Sequence, residues 1–347
     1  MNRLAVVLVS YNSRAVLESC LTSLMAQNVP DLEIIVVDNA SIDGTPQWLK
    51  AQFPWVTLIH QGCNAGYGSA ANTGIKAARA KAVMVANPDT LFREGSLEQL
   101  MAALNRYPRA FINPKLVLPD GRINALGNIM HISGITSCHR YGEPCESFTG
   151  ILPIPLLSGA AILAARDVWV QLRGFDPHIF LYMEDAELSL RARLLGLELY
   201  CAADAEVVHD YSLKLTPVKF QWLEQHRLWT VLKIYSWSTL WRLSPALIVA
   251  GGLTWLFALL RGGAYLGARL RASLWVWRHL DQLFAERRGF HGLKQTPDQS
   301  IIGALSPELP TRQLVARSSY ATAHLSHLAT TVFRWLQPGP KSHTATH

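Results

Sequence analysis

The sequence predicts an α/β fold built on a mostly parallel sheet with helices on both faces. Two observations carry this. Four short apolar runs rich in Val, Ile and Ala recur at residues 4–9, 33–38, 55–60 and 82–86, and strands buried on both faces read as continuous runs of this kind. Between them lie polar loops and stretches of helical period, and strand–helix alternation is the signature of a parallel, doubly covered sheet. In such sheets ligands sit beyond the carboxyl ends of the strands. Tyr11, Asn12, Asp38 and Asp89 all follow strand ends and are expected on one rim.

Taken in order, the first run leads into a helix that places Val16, Cys20, Leu21, Leu24 and Met25 on one face, with Pro30 as its stop. The second run ends at Asp38. Thr45 is the expected N-cap of the next helix, with Pro46 in its first turn. The third run enters "QGCNAGYGSAANTGIKAA", and the fourth closes on Asn87-Pro88-Asp89. Ser96 and Gln99 suggest a capping box. "KLVLPDGRI" predicts a hairpin turning at Pro119-Asp120-Gly121, and the chain is irregular to about residue 154. "LSGAAILAARDVWVQLRGFD" gives a strand, a short helix and a turn, "EDAELSLRARLLG" a helix, and "EVVHD" a closing strand. Three regions result: a globular part over 1–215, a basic, Trp-rich helical part over 216–293, and a loosely ordered tail over 294–347.

Half of the 347 residues are hydrophobic and 16% are charged, enough apolar material for a large core. The net charge of +7 points to an anionic partner, with nucleic acid, acidic lipid and sugar nucleotide as the classes. Five scattered cysteines suggest no disulfide framework and favour a reducing compartment. Cys138, His139 and Cys145 fit no common zinc spacing and read as ordinary loop or core residues. The N-terminus lacks the features of a secretory signal, so the chain is expected to begin in the cytoplasm. Residues 214–294 hold twelve Lys/Arg against three acids, together with seven tryptophans. Within them, residues 243–260 carry no charge and are bracketed by Arg242 and Arg261. That length is the lower limit for a membrane span, and an interfacial or re-entrant segment fits at least as well; a buried core helix is the alternative. The basic residues lie among apolar runs rather than on a polar face, which argues against nucleic acid.

Gly66, Gly68 and Ala71 match a dinucleotide fingerprint, but this loop follows the third strand rather than the first. Small residues there would let backbone N–H groups approach an anion, or serve packing alone. Glu184 and Asp185 open a helix directly after Phe180-Leu181-Tyr182-Met183. They either complement the helix dipole or supply a partly desolvated base. Arg191 and Arg193 are partners for Glu184 or Glu187, which would leave Asp185 free. His209 is structural unless the fold returns it to Asp89; a carboxylate and an imidazole together suit Mn²⁺.

The ordered set "VVLVSYNS", "VVDNASIDGT", "NAGYGSAANTGI", "NPDT", "LSGAAIL", "GFD", "YMEDAELSLRARLLG" and "VVH" resembles family 2 glycosyltransferases of the GT-A fold over residues 4–212. The most similar subgroup is the bacterial rhamnosyltransferase-like enzymes, which build cell-surface polysaccharide from dTDP-rhamnose. The resemblance implies that Asp38 contacts the nucleoside with Tyr11 and Asn12 nearby. Asn64 and Gly66 would lie along the nucleotide as the chain enters the helix carrying Asn72. Asp89 would occupy the last position of the D-x-D element and bind Mn²⁺ or Mg²⁺ with His209, while Asn87 replaces the first acid of that element. Asp185 would be the general base, with Glu184 beside it. The implied reaction is metal-assisted, inverting transfer from a dTDP- or UDP-sugar to a hydroxyl of a lipid-linked or polysaccharide acceptor. The implied location is the cytoplasmic face of the inner membrane, peripheral or with one short membrane segment, and without a nucleic-acid partner. The competing readings are a nucleotide-sugar-binding protein without turnover and a dinucleotide-binding oxidoreductase.

Overall fold

In the computed structural model, which describes residues 4–210 and 214–306, strand β1 (Leu4–Ser10) is buried along its whole length. Its side chains alternate between two cores, as the two-residue period of a strand requires. Leu4, Val6 and Leu8 pack on one face with helix α1 (Arg14–Met25), and Ala5, Val7 and Val9 pack on the other. The alternation continues through β2 (Glu33–Asp38), α2 (Thr45–Gln52), β3 (Thr57–His60), α3 (Tyr67–Ala77) and β4 (Ala82–Ala86). β1 pairs in parallel with β2 and β4, and β2 pairs in parallel with β3.

Beyond β4 the sheet becomes mixed. β5 (Thr90–Phe92) and α4 (Ser96–Arg106) precede β6 (Ala110–Val117) and β7 (Ile123–Ala125), which form the predicted hairpin. Gly121 turns it at φ +84°, a conformation open to glycine without steric cost. A small separate hairpin, β8 (Asn128–Met130) with β9 (Thr136–Cys138), follows. Then come β10 (Ile151–Pro153), β11 (Ala161–Ala165), α5 (Arg166–Leu172), α6 (Glu184–Leu194) and β12 (Glu198–His209). The strand order is β10-β12-β6-β11-β4-β1-β2-β3, with β11 antiparallel to its neighbours and β12 parallel to β6.

Three local expectations are corrected. In α1 the buried face is Leu17, Cys20, Leu21 and Leu24, whereas Val16 and Met25 are exposed. Gly44, not Thr45, caps α2, and the Thr45 hydroxyl instead donates to Asp43. Gly95 caps α4, and the Ser96 hydroxyl donates to the Glu206 carbonyl, so no capping box forms.

The C-terminal helices are α7 (Pro217–Ile234), α8 (Trp237–Arg261), α9 (Gly263–Arg278), α10 (Leu280–His291) and α11 (Gln299–Ile302). They share a core with the first part of the chain: Met130, Met183 and Leu190 pack with Val231, Ile234, Leu243 and Phe290. α8 runs unbroken through Pro245. The expected loose tail differs over its first part, because Asp298 accepts hydrogen bonds from the Ser236 backbone (2.7 Å) and hydroxyl (2.8 Å) and Ile301 and Leu305 are buried. The rest of it, residues 307–347, lies outside the described residues.

Candidate active site

Register aligns the ends of three strands: Ser10 lies opposite Asp38, and Asp38 opposite His60. Asp38 is fully buried. Its Oδ2 pairs with His60 Nδ1 at 2.8 Å and accepts from the Ser41 backbone at 3.2 Å, while Oδ1 has no protein partner among the described residues. A buried carboxylate oxygen without a partner is costly, and a ligand donor at this rim would relieve it. Tyr11 stands 48% exposed beside it. Asn12, in a left-handed conformation, accepts from the Ile42 backbone through Oδ1. Asn64 Oδ1 accepts from Asn39 Nδ2 (2.8 Å) and from the Gly66 backbone (3.1 Å), which ties this loop to the end of β2.

The glycines that open α3 are explained by packing. A Cβ on Gly66 (φ +88°) would meet the Phe180 carbonyl at 2.5 Å, and one on Gly68 would meet the Phe175 side chain at 2.9 Å. The Tyr67 N–H donates to that Phe180 carbonyl. The start of α3 is therefore fitted to the 175–180 loop, which removes the structural basis for a dinucleotide fingerprint. Asn72, expected along the nucleotide, serves the same packing. Its carboxamide donates to and accepts from the Phe175 backbone, both at 2.8 Å, and so clips the same loop in place.

His209, at the end of β12, is brought back to Asp89: Nε2 lies 3.6 Å from Asp89 Oδ1, and β12 pairs His209 with Thr90. Burial pushes the imidazole below its usual value despite the nearby Asp89 and Asp210 charges, which keeps it neutral at neutral pH. An exposed carboxylate with a neutral imidazole suits Mn²⁺ or Mg²⁺ when phosphate oxygens supply further ligands. Among the described residues no group of three His, Cys, Asp or Glu side chains forms, so the fit is that of a two-residue site. Asn87, held by its N–H to the Ala160 carbonyl, lines the cleft beside His209.

Glu184 and Asp185 begin α6. Tyr182 and Met183 before them both adopt positive φ, +64° and +73°. Such strain is held only where surroundings impose it. Here His226 of α7 does so, its Nδ1 lying 2.9 Å from the Leu181 carbonyl and 3.1 Å from that of Tyr182. Burial lowers His226 to about 4, so the ring is neutral and its Nδ1–H donates to those carbonyls. Asp185 Oδ2 accepts from Asn128 Nδ2 and the Gly159 N–H, both at 2.9 Å, and Oδ1 accepts from the Ala186 N–H at 2.7 Å. Burial raises the Asp185 carboxyl, and these donors oppose the rise. Glu184 has less help, a backbone hydrogen bond of its own residue. Its Oε2 is buried without a partner, and burial followed by the Asp185 charge lifts it to about 8. Arg191 pairs with Glu187 at 2.7 Å, and Arg193 donates to the Pro155 carbonyl, so neither guanidinium serves Glu184.

Asp89 lies 3.6 Å from His209, and His209 lines one cleft with Asp185. Its lining includes Tyr67, Asn87, Asn128, Glu184, Asp185 and His209. Tyr67 responds to both acidic sites: burial first, then the charges of Glu184, Asp89 and Asp185, push its phenol well above the ordinary value.

A sequence profile described as Glycosyl transferase family 2 matches residues 5–143. An N-acetylglucosaminyl-diphospho-decaprenol L-rhamnosyltransferase of Mycobacterium tuberculosis is 33% identical over 236 residues, covering 59% of this chain and 75% of that protein. The chain belongs to glycosyltransferase family 2. This glycosyltransferase is also 24% identical, over 225 residues, to an O-antigen biosynthesis protein of Myxococcus xanthus; the match covers 59% of this chain and 17% of that one. Its GT-A fold is shared with GalNAc-T7, solved with UDP, GalNAc and Mn²⁺ (TM-score 0.59, 15% identity, 79% of this chain and 55% of that one). It is shared too with a Pyrobaculum calidifontis mannosyltransferase solved with GDP-Man and Mn²⁺ (TM-score 0.50, 16% identity, 96% and 86%).

Sequence reasoning missed Asn128, which orients Asp185, and His226, which clamps the strained turn. Asn128 lies in the irregular region and His226 in the helical one, and neither carries a motif. Only the hairpin β8–β9 and the packing of α7 bring them to the site.

Proposed function

We propose that this glycosyltransferase moves a sugar, rhamnose from dTDP-rhamnose as the leading donor, onto a hydroxyl of a lipid-linked acceptor with inversion at the anomeric carbon. The observation that supports this best is that Asp185 lines the same cleft as His209, the neighbour of Asp89. In the reaction, Asp38 accepts a hydrogen bond from the nucleoside through its unpartnered Oδ1, with Tyr11, Asn12, Asn64 and Gly66 at the same rim of the sheet. Asp89 and His209 would hold Mn²⁺ or Mg²⁺, with Asn87 beside them. The ion, when bound, neutralises charge on the diphosphate. Asp185 takes the proton from the acceptor hydroxyl as that oxygen attacks opposite the leaving group, and its three hydrogen-bond donors fix the carboxylate in position. Glu184, protonated at neutral pH, keeps a second negative charge away from the incoming oxygen.

The acceptor class is supported by the relative that acts on a diphospho-decaprenol and by the surface of α8. Its exposed stripe, Trp241 (82% exposed), Ile248 (73%), Leu256 and Leu259, backs onto a buried stripe running from Leu240 to Ala258. α8 is long and apolar enough to cross a membrane, but its first half is anchored to the protein through Leu240, Leu243, Ala246 and Ala250, and a helix held in this way can lay its apolar side on a bilayer surface. We therefore assign peripheral docking at the cytoplasmic membrane face. The test is a screen of nucleotide sugars for nucleoside-diphosphate release with a polyprenyl-diphosphate-linked acceptor and Mn²⁺. dTDP-rhamnose should give acceptor-dependent release that Asp185→Asn slows by about a hundredfold or more. Binding of nucleotide without release from any donor would favour the binding-protein reading instead.

A further inference from the structure

One cation in the cleft has no part in the chemistry above. Lys219, in the first turn of α7, lines the cleft together with Leu215 and Leu223. Its Nζ lies 5.2 Å from the centroid of the Tyr182 ring, immediately before the Glu184-Asp185 pair. It stands with Asp185: the Cys138 thiol, raised to about 12 chiefly by burial, feels both the Asp185 carboxylate and the Lys219 ammonium. Burial lowers the Lys219 ammonium, and in such surroundings an anionic partner gains more than it would in water. The positive end of the α7 dipole adds to the same wall, since Thr216 Oγ1 accepts from the Lys219 N–H at 3.2 Å. Leu215 connects this wall to the apolar helices. Its carbonyl accepts from the Tyr265 hydroxyl at 2.7 Å, and its side chain packs in the cluster of Phe220, Ala258 and Ala268.

We propose that the α7 wall is the acceptor subsite: Lys219 binds a phosphate of a lipid-diphosphate acceptor, and Leu215 begins an apolar path for the lipid toward α8 and α9. The inference rests on the transfer reading given above and adds to it a residue that selects the acceptor. An ammonium here places the sugar hydroxyl near Asp185 while the diphosphate stays on the membrane side. The donor diphosphate belongs with Asp89 and His209.

The test uses the full chain, dTDP-rhamnose and two acceptors carrying the same N-acetylglucosamine: one on a short prenyl diphosphate, the other an uncharged alkyl glycoside. For Lys219→Gln the KM for the diphosphate acceptor should rise tenfold or more, while the KM for the alkyl glycoside and for the donor stay within twofold. Lys219→Arg should restore most of the loss, which a misfolded variant would not allow. An equal loss with both acceptors, or no loss with either, overturns the subsite. A rise in donor KM, or weaker dTDP binding, assigns Lys219 to the donor diphosphate and also overturns it. If the wild-type chain transfers to neither acceptor yet binds the prenyl diphosphate through Lys219, the transfer reading fails and the phosphate site stands; if that binding is absent too, both fall.

Discussion

The two adjacent carboxyls of α6 sit in different surroundings. Asp185 has three donors aimed at it, so its anion is solvated by the protein, whereas Glu184 has a buried oxygen with none. Asp185→Asn is therefore expected to lower the transfer rate by about 10²–10⁴-fold, the span of general-base contributions, with donor binding retained. Glu184→Gln copies the protonated side chain and should cost transfer less than about tenfold, on the same scale of general acid–base effects. Linkage gives a further expectation for Glu184. Its folded value of about 8 lies above the ordinary 4.5. Between those values the folded chain holds a proton that the unfolded chain has released, so stability declines as pH rises. The stabilising share of the protonated acid is complete below about 4.5 and is lost as pH passes 8. Thermal unfolding from pH 6 to 9 should show Tm falling in the wild type, with a shallower slope in Glu184→Gln; parallel slopes would contradict the assignment.

Among the elements, α7 does most to hold the site together. Lys233 donates to Asp176 Oδ2 at 2.6 Å and lies 2.9 Å from Glu187 Oε1, joining the turn after α5 to α6. Burial alone would raise the Asp176 carboxyl, but hydrogen bonds from His178, Lys233 and Trp229 hold it well below the usual range. Lys233→Met leaves two buried carboxylates short of a partner, and denaturant unfolding should register a loss of about 3–5 kcal/mol. Gly66→Ala should cost about 2 kcal/mol or more by the same measurement, from positive φ and the Phe180 contact together. The strands β1, β2 and β4 were legible because each is an unbroken apolar run closed by polar residues. The shared rim of Asp38 and Asp89 followed from strand ends, whereas the return of His209 to Asp89 depends on the pairing of β12 with β5. What was not legible depends on pairing between distant segments. β12 is long and kinked between Ala202 and Glu206, so only its last residues read as a strand. The face of α1 was misread by one position, since Val16 and Leu17 are equally apolar and only packing distinguishes them. The glycines of the 66–71 loop read as an anion cradle because their true neighbour, the 175–180 loop, lies a hundred residues on. The clamp by His226 had no local signature either, since neutral histidines inside apolar helices are common structural residues.

At the scale of the whole molecule, the catalytic cleft and the apolar helices form one continuous body, with α7 as the shared wall. Residues 237–280 expose Trp237, Trp241, Arg242, Ile248, Leu259, Arg261 and Trp277, and no acid lies among them. A surface of Trp, Leu and Arg without acids suits an anionic bilayer, where apolar insertion and charge attraction act together. Replacing Ile248 and Leu259 together by Glu is expected to release the protein from phosphatidylglycerol-containing vesicles in a flotation assay. Transfer to a water-soluble acceptor should be unchanged. Binding of both proteins to vesicles alike would reject the docking face.

The most direct test of the division of labour in the cleft compares two variants in one titration of dTDP, with and without Mn²⁺, alongside the transfer assay. Asp89→Ala should lose the Mn²⁺-dependent gain in nucleotide affinity, and Asp185→Asn should bind as the wild type does while its transfer is slower by about a hundredfold or more. Equal loss of binding in both variants, or transfer near the wild-type rate in Asp185→Asn, would contradict the account.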